Sequence, residues 1–235
     1  MEGDFKLNTR QVAMTAMWAA IYAVALLIPF SQFIGGAGFI TLGIIMVPVF
    51  CKMLKPVSAM VAGVFGMVIA ASVGAAIVPV YGLFSFIIPL TAGLLGSLAF
   101  HYRWGAVPGI IFLGLCSFLY ATYSGGTLLW IVPYAVAMLA GIGTLVVYNF
   151  KKQNSTTSKT SWLLITGFCI FLTTTIENAT MNLGSIFILK LPGDLWTVIT
   201  PVSMLERTIV WVLAFVILLG LWKRFGGKIK ELEYD

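Results

Sequence analysis

Apolar runs separated by charged residues, prolines and glycines follow one another along almost the whole chain. Most are roughly 17 to 25 residues long, which matches a helix that crosses a hydrocarbon core of about 30 Å. Read against the residues that interrupt them, the runs predict eight helical spans, of which the second and fifth are the shortest. They cover about residues 11–30, 36–51, 57–77, 82–100, 104–122, 127–150, 161–183 and 202–222. The pattern predicts an all-α, polytopic helical bundle of six to eight transmembrane helices.

Basic residues fall in every second connection between these spans. Twelve of the 14 Lys and Arg residues lie before the first span or after the second, fourth, sixth and eighth spans. Positive connections face the cytoplasm in most membrane proteins, so both chain termini are predicted to be cytoplasmic. Residues 1–235 then form a single membrane domain. Its first six spans (about 11–150) are joined by a Ser/Thr/Lys-rich cytoplasmic linker at 151–161 to a closing hairpin at 162–225.

Composition supports this class and excludes others. Hydrophobic residues make up 60% of the chain, charged residues 9%, and the mean hydropathy is +1.02, which indicates a multi-pass protein of the cell membrane in contact with lipid. The net charge of +6 comes from the connections that set topology, so it does not indicate nucleic-acid binding. No Gly-x-x-x-x-Gly-Lys-Ser/Thr phosphate loop occurs in the sequence, so this chain is not itself an ATPase. We predict no metal, no cofactor and no enzymatic activity.

Only three charged residues lie inside the predicted spans: Glu177, Glu206 and Arg207. A charge in the bilayer core is expensive, so such residues usually face the interior of a bundle and pair with one another. If the last two spans are antiparallel neighbours, Glu177 and Arg207 lie at one depth in the outer third of the bilayer. The spacing therefore predicts an ion pair between them.

Two interpretations of this cluster remain open. In the first, the charges form a structural pair, although such pairs often stabilise a protein no more than apolar residues do. In the second, they belong to a pocket that opens to the outside and binds a small polar or zwitterionic molecule. The predicted substrate-binding residues are Glu177, Asn178, Asn182, Glu206, Arg207 and Trp196. Trp196, in the external loop, is expected to cover the apolar part of that ligand.

Small residues recur at intervals of four on the first span. Ala16 and Ala20 form one pair, and Ala19 and Ala23 form another on an adjacent face. Small residues at this spacing let helix backbones approach closely where lipid provides no hydrophobic drive for association. On the first span they predict a docking surface for a second membrane protein. Similar pairs, which predict packing within the bundle, include Ala59/Gly63 and Ala62/Gly66.

Four segments carry a resemblance to a known family. They are TRQVAMTAMWAAIYAVA, with its Ala-x-x-x-Ala pattern, the Gly-rich GGAGFITLGIIMVPVF, the Pro-led KPVSAMVAGVFGMVIA, and PVSMLERTIVW, which runs to a basic LWKRF end. In this order they resemble the substrate-binding S components of energy-coupling factor transporters, which take up vitamins and related micronutrients. The resemblance covers about residues 8–100 and 162–225.

The resemblance implies a substrate pocket near the outer face. It also implies that the alanine motif of the first helix contacts a membrane coupling subunit that carries two ATPase subunits. S components typically have six helices, so eight predicted spans depart from the family pattern. Two other functions remain open. One is an intramembrane enzyme that uses Glu177, Glu206 and Arg207 as acid, base and anion-stabilising groups; the other is a membrane scaffold or assembly protein.

Overall fold

One α-helix lies in each of the eight predicted spans of the protein. The structure is a computed structural model, and it describes residues 9–32, 39–74, 80–123, 129, 131–154 and 159–233. The helices are α1 Thr9–Leu26, α2 Gly43–Met53, α3 Pro56–Ser72, α4 Ile87–His101, α5 Ala106–Tyr123, α6 Ile131–Asn154, α7 Lys159–Phe187 and α8 Trp196–Glu233. Two short strands, β1 Pro29–Gln32 and β2 Phe39–Thr41, lie between α1 and α2. The fold is therefore an all-α polytopic bundle, as the sequence predicts.

Five helical segments are both long enough and apolar enough to cross a membrane. They are Gly82–His101, Ala106–Tyr123, Ile131–Phe150, Thr160–Phe187 and Gly193–Arg224. The first of them begins with a short 3-10 helix, Gly82–Phe86, that leads directly into α4. Helix α1 has 18 residues, about 27 Å of helix, but its first turn is polar. The protein is a multi-pass membrane protein.

The segment between α1 and α2 differs from the prediction. The predicted spans at 11–30 and 36–51 treat most of it as helix, but α1 ends at Leu26 and the two strands pair as an antiparallel hairpin. Pro29 explains where the helix stops, because the residue before a proline disfavours the helical conformation. Helix α2 has only 11 residues, about 16 Å of helix, and cannot cross the bilayer alone. Residues 33–38 lie outside the described ranges.

Helix α7 is the centre of the bundle. It packs against α2, α4, α5, α6 and α8, and it is the most deeply buried of the five long segments. Helix α8 lies against α7 and α2. Helical residues extend into the predicted linker at 151–161 from both sides, because α6 continues to Asn154 and α7 begins at Lys159. Residues 155–158 of that linker lie outside the part of the chain that the structure describes.

The small-residue pairs of α3 contact two neighbouring helices, α1 and α4. A β-carbon added to Gly63 would lie 2.9 Å from the β-carbon of Pro89 on α4. A β-carbon added to Gly66, on the adjacent face, would lie 2.8 Å from the backbone oxygen of Ala19 and 2.7 Å from the Tyr22 ring on α1. These distances confirm that the pairs bring helices of the bundle into close contact.

We expect Gly66→Ala to lower the free energy of unfolding by about 1–3 kcal/mol, because the new methyl group would force α1 and α3 apart. Gly220→Ala on α8 is the matched control, since a β-carbon there meets no atom within 4 Å. In a helix, alanine is favoured over glycine by roughly 0.5–1 kcal/mol, so the control is expected to be neutral or slightly stabilising. Thermal unfolding in detergent measures both, and equal midpoints for the two variants would contradict the close contact.

Candidate functional site

Glu177 of α7 and Arg207 of α8 face each other, as the sequence predicts. Arg207 Nη1 lies 3.7 Å from Glu177 Oε2. Both residues are buried: Glu177 is 2% exposed and Arg207 is 5% exposed. The distance defines an ion pair, but it is too long for a hydrogen bond. The two charges therefore attract each other without satisfying each other's hydrogen-bonding groups.

Glu177 and Arg207 lie the same distance along their helices from a second contact between α7 and α8. The rings of Trp162 and Trp222 stack with their centroids 4.8 Å apart. About 22 Å of helix separates Trp162 from Glu177, and about 22 Å separates Trp222 from Arg207. The equal spacing agrees with two antiparallel neighbours that hold their charges at one level.

The Arg207 guanidinium has few acceptors. Its Nη2 donates to the thioether sulfur of Met181, at 3.5 Å, and a thioether is a weak acceptor. Arg207 Nε and Nη1, together with Glu177 Oε2, are buried with no hydrogen-bond partner among the residues that the structure describes. Buried polar groups nearly always have partners. An Arg side chain with two unused nitrogens at this depth therefore indicates a place for an additional acceptor.

A ladder of hydrogen bonds lies beside Arg207 and connects three helices. Asn178 Nδ2 donates to Ser203 Oγ at 2.9 Å, and Asn182 Nδ2 donates to Tyr134 OH at 2.8 Å and to Asn178 Oδ1 at 3.2 Å. The two asparagines are one helical turn apart, so both project from the same face of α7. The ladder fixes the position of α7 relative to α6 and α8 around the guanidinium.

The β-hairpin closes the other side of the cluster. Ser31 Oγ on β1 donates a hydrogen bond to Glu206 Oε1 on α8, and Glu206 is 7% exposed. Strand β1 pairs with β2 through Ser31↔Ile40 and Gln32↔Phe39. Glu206 therefore links α8 to the β-hairpin between α1 and α2.

These side chains surround a cleft, called the outer cleft below, at the end of α7 and α8 opposite Trp162 and Trp222. Its empty volume is about 420 Å³, including the part open to solvent. Only about 30 Å³ of it accommodates a water-sized molecule, which is room for about two waters. The lining residues are Gln32, Ile40, Tyr81, Asn178, Met181, Asn182, Ser185, Leu191, Ile199, Val202, Ser203, Glu206 and Arg207.

The structure brings four of the six predicted substrate-binding residues to this cleft: Asn178, Asn182, Glu206 and Arg207. Glu177 does not line it and instead contacts Arg207 from the core of the bundle. Its position is that of a counter-ion to the guanidinium.

Trp196 requires a correction. It was expected in an external loop that covers the ligand, but it is the first residue of α8, it is 1% exposed, and it does not line the cleft. Its ring packs edge-on against Tyr120 of α5, with 5.2 Å between the centroids. The external loop is also shorter than expected, because α7 continues to Phe187.

Several lining residues were missed in the sequence. Ser185 and Ser203 could have been found, because Ser185 continues the stripe of Asn178 and Asn182, and Ser203 lies one turn before Arg207. Gln32 gave no such signal, since it lies in the predicted connection between the first and second spans. Tyr81 reaches the cleft from the start of the α4 segment, where its hydroxyl lies 2.9 Å from Ser185 Oγ.

One alanine pair of α1 is exposed and the other is buried in the bundle. Ala16 and Ala20 are exposed, and their contact with a second membrane protein stays a prediction. Ala19 and Ala23 are only 4% and 2% exposed, and the expectation that they also contact a partner is wrong. They are covered by the bundle itself, with the Ala19 backbone against Gly66 of α3.

The chemistry of the cleft is that of recognition. Arg207 supplies a guanidinium, and Glu206 supplies a carboxylate that accepts a hydrogen bond from the hairpin. Asparagine and serine side chains of α7 and α8 supply amide and hydroxyl groups. Such groups can orient a small molecule that has a negative group and further polar atoms. Among the described residues, no group of three or more His, Cys, Asp and Glu side chains could hold a metal ion. No family model, no curated protein and no solved structure matches this chain.

Proposed function

We propose that this protein is the substrate-binding subunit of an uptake system in the cell membrane. It captures a small, vitamin-like micronutrient in the outer cleft, and an external coupling subunit with two ATPase subunits supplies the energy. Binding is equilibrium recognition, and no chemistry is performed on the ligand. The proposal combines the geometry of the cleft with the resemblance of the sequence to S components.

The observation that carries the proposal is the incompletely bonded Arg207 at the cleft. A guanidinium offers five N–H donors in a planar fork that matches a carboxylate. Glu177 compensates its charge from behind but accepts no hydrogen bond from it at 3.7 Å. A ligand carboxylate in the cleft would provide the missing acceptors, so the protein is prepared for an anionic or zwitterionic ligand.

Ligand entry requires the cleft to widen. With room for about two waters, the cleft is too small for a vitamin-sized molecule, and the hydrogen bond between Ser31 and Glu206 holds its hairpin side closed. Among the described residues the hairpin is a sheet of only two strands, of four and three residues. We infer that it moves away from α8 when the ligand enters and returns once the ligand is bound.

The experiment that tests the proposal compares two Arg→Lys variants on one helix. Arg207→Lys keeps a positive charge opposite Glu177 but loses the planar fork. Arg224→Lys makes the same change at the exposed cytoplasmic end of α8. We expect native mass spectrometry of protein purified from its own host to show a bound small molecule in the wild type and in Arg224→Lys. The same molecule should be depleted in Arg207→Lys.

Equal ligand occupancy in the two variants would contradict the role of Arg207. A wild-type protein that carries no small molecule, and binds none when supplied with the host's extracted metabolites, would contradict the proposed function itself. The thermal unfolding midpoint of each variant, measured without ligand, is the control for folding.

A further inference from the structure

A second space lies beside the cleft, on the membrane-facing side of the bundle. It is a groove between α6, α7 and α8 with a volume of about 470 Å³, within the range of small-molecule sites. Its walls are apolar and include Val136, Leu139, Phe168, Phe171 and Trp211. It is thus large enough for a substantial apolar group, unlike the outer cleft.

The floor of the groove is formed where α7 lacks a side chain. Trp211 Nε1 donates to the backbone oxygen of Gly167 at 2.8 Å, so the polar atom of the indole is satisfied there. A β-carbon added to Gly167 would meet only Phe215 and Trp211, at 3.8 and 3.9 Å. The depth of the groove therefore depends on the absence of a side chain at position 167, and a small substitution there is tolerated by the packing.

A small chamber of about 80 Å³ adjoins both the groove and the outer cleft. It shares Asn178, Ser203 and Arg207 with the cleft, and it shares Val136, Phe171 and Thr208 with the groove. Arg207 is therefore separated from the apolar groove by this chamber alone among the described residues.

We propose that the ligand is an amphipathic monocarboxylate, with its carboxylate on Arg207 and an apolar chain in the groove between α6, α7 and α8. This inference rests on the proposed function and names the substrate class of the same site. Arg207 Nε and Nη1 are buried and without hydrogen-bond partners in the described part of the chain, and Arg207 lines the chamber that adjoins the groove at Val136, Phe171 and Thr208. A carboxylate there gains acceptors for both nitrogens while its chain remains in an apolar environment.

The charges nearby favour a single negative charge on the ligand. Glu177 is in ionic contact with Arg207, and Glu206 lies in the cleft next to it. These two carboxylates already outnumber the one guanidinium. A doubly charged phosphate monoester would add repulsion from both of them, so a monocarboxylate fits the site better than a phosphate monoester.

The test uses a palmitic acid analogue with a photoreactive diazirine in its chain, added to the full-length protein in lipid nanodiscs. After illumination, peptide mass spectrometry locates the label. We expect it on the peptides that contain Val136 and Phe171, and we expect unlabelled palmitate to compete. Hexadecanol has the chain without the carboxylate and acetate has the carboxylate without the chain, and neither should compete.

Variants separate the chain site from the head site. Gly167→Leu fills the floor of the groove, and Leu139→Trp narrows it from an exposed position. Each should weaken palmitate binding at least about tenfold, because the chain loses buried apolar area. Gly220→Leu, on α8 where a β-carbon meets nothing within 4 Å, should leave it unchanged. Arg207→Lys should also weaken binding.

Two outcomes would overturn the inference. If phosphatidylglycerol displaces the label as well as palmitate does, and Arg207→Lys has no effect, the groove holds ordinary bilayer lipid. If both groove variants keep the affinity for palmitate, or if acetate competes as well as palmitate, the chain does not lie in the groove. In either case a co-purified ligand that is lost in Arg207→Lys would still support the proposed function, so the two proposals fail separately.

Discussion

Replacing Arg207 with glutamine is expected to destabilise the protein by about 3–5 kcal/mol, because it leaves the Glu177 carboxylate buried without its counter-ion. Glu177 is 2% exposed, and its Oε2 has no hydrogen-bond partner in the described ranges. Thermal unfolding of the purified variant in detergent, without ligand, measures the loss. The matched variant is Glu177→Gln, which leaves the guanidinium unpaired instead and is expected to cost a similar amount.

The double variant Glu177→Gln/Arg207→Gln distinguishes stability from recognition. Removing both charges of a buried pair is often nearly neutral, so most of the lost stability should return. Ligand binding should not return, because the double variant lacks the Arg207 guanidinium that donates hydrogen bonds to the ligand. A double variant destabilised by the sum of the two single losses would show that the two side chains are not energetically coupled. A double variant that binds ligand normally would remove Arg207 from the site.

The second large effect concerns α1. We expect Ala20→Trp to abolish ATP-driven uptake while the affinity of the purified protein for its ligand is unchanged. Ala16 and Ala20 are exposed and leave a shallow, smooth face on which another helix can pack closely. An indole at position 20 would keep a partner helix at a distance. Uptake into cells and equilibrium binding to purified protein are the two measurements.

Val216→Trp is the control for this experiment. Val216 is 58% exposed on α8, so the substitution adds an indole to a different membrane-facing surface. Uptake should persist in this variant. If Ala20→Trp transports as well as Val216→Trp, the exposed face of α1 is not the coupling surface. If Ala20→Trp also loses ligand affinity, the effect of the substitution reaches the cleft, and the division of roles proposed for α1 is wrong.

The positions of the helices could be predicted from the sequence, because a helix that contacts lipid on one face and protein on the other is apolar along its whole length. The ends of the helices could not. Helices α7 and α8 extend beyond their predicted spans. The predicted spans stop where the apolar run ends near Pro192 and Gly193, but both helices continue closer to these two residues. The strands Pro29–Gln32 and Phe39–Thr41 were missed because they have only four and three residues, and the predicted helical spans covered the first half of β1 and all of β2.

The charged part of the site was predictable for a different reason. Three charges in the predicted spans have few ways to be accommodated, and two antiparallel helices bring Glu177 and Arg207 to one level. Contacts between distant segments were not accessible in this way. No local pattern relates Ser31 to Glu206, which are 175 positions apart, and nothing in the sequence around Trp196 indicates that its ring packs against Tyr120.

The close crossing of α1 and α3 has a mechanical consequence. At Gly66 the two backbones are in contact, so neither helix can slide or roll without carrying the other, and Gly63 joins α3 to α4 in the same manner. The exposed alanines of α1 lie on the same helix as this contact, so we expect a load on that face to reach α3 and α4 first. The hairpin is bonded to α8 instead, so the opening proposed for the cleft does not require α1, α3 and α4 to separate.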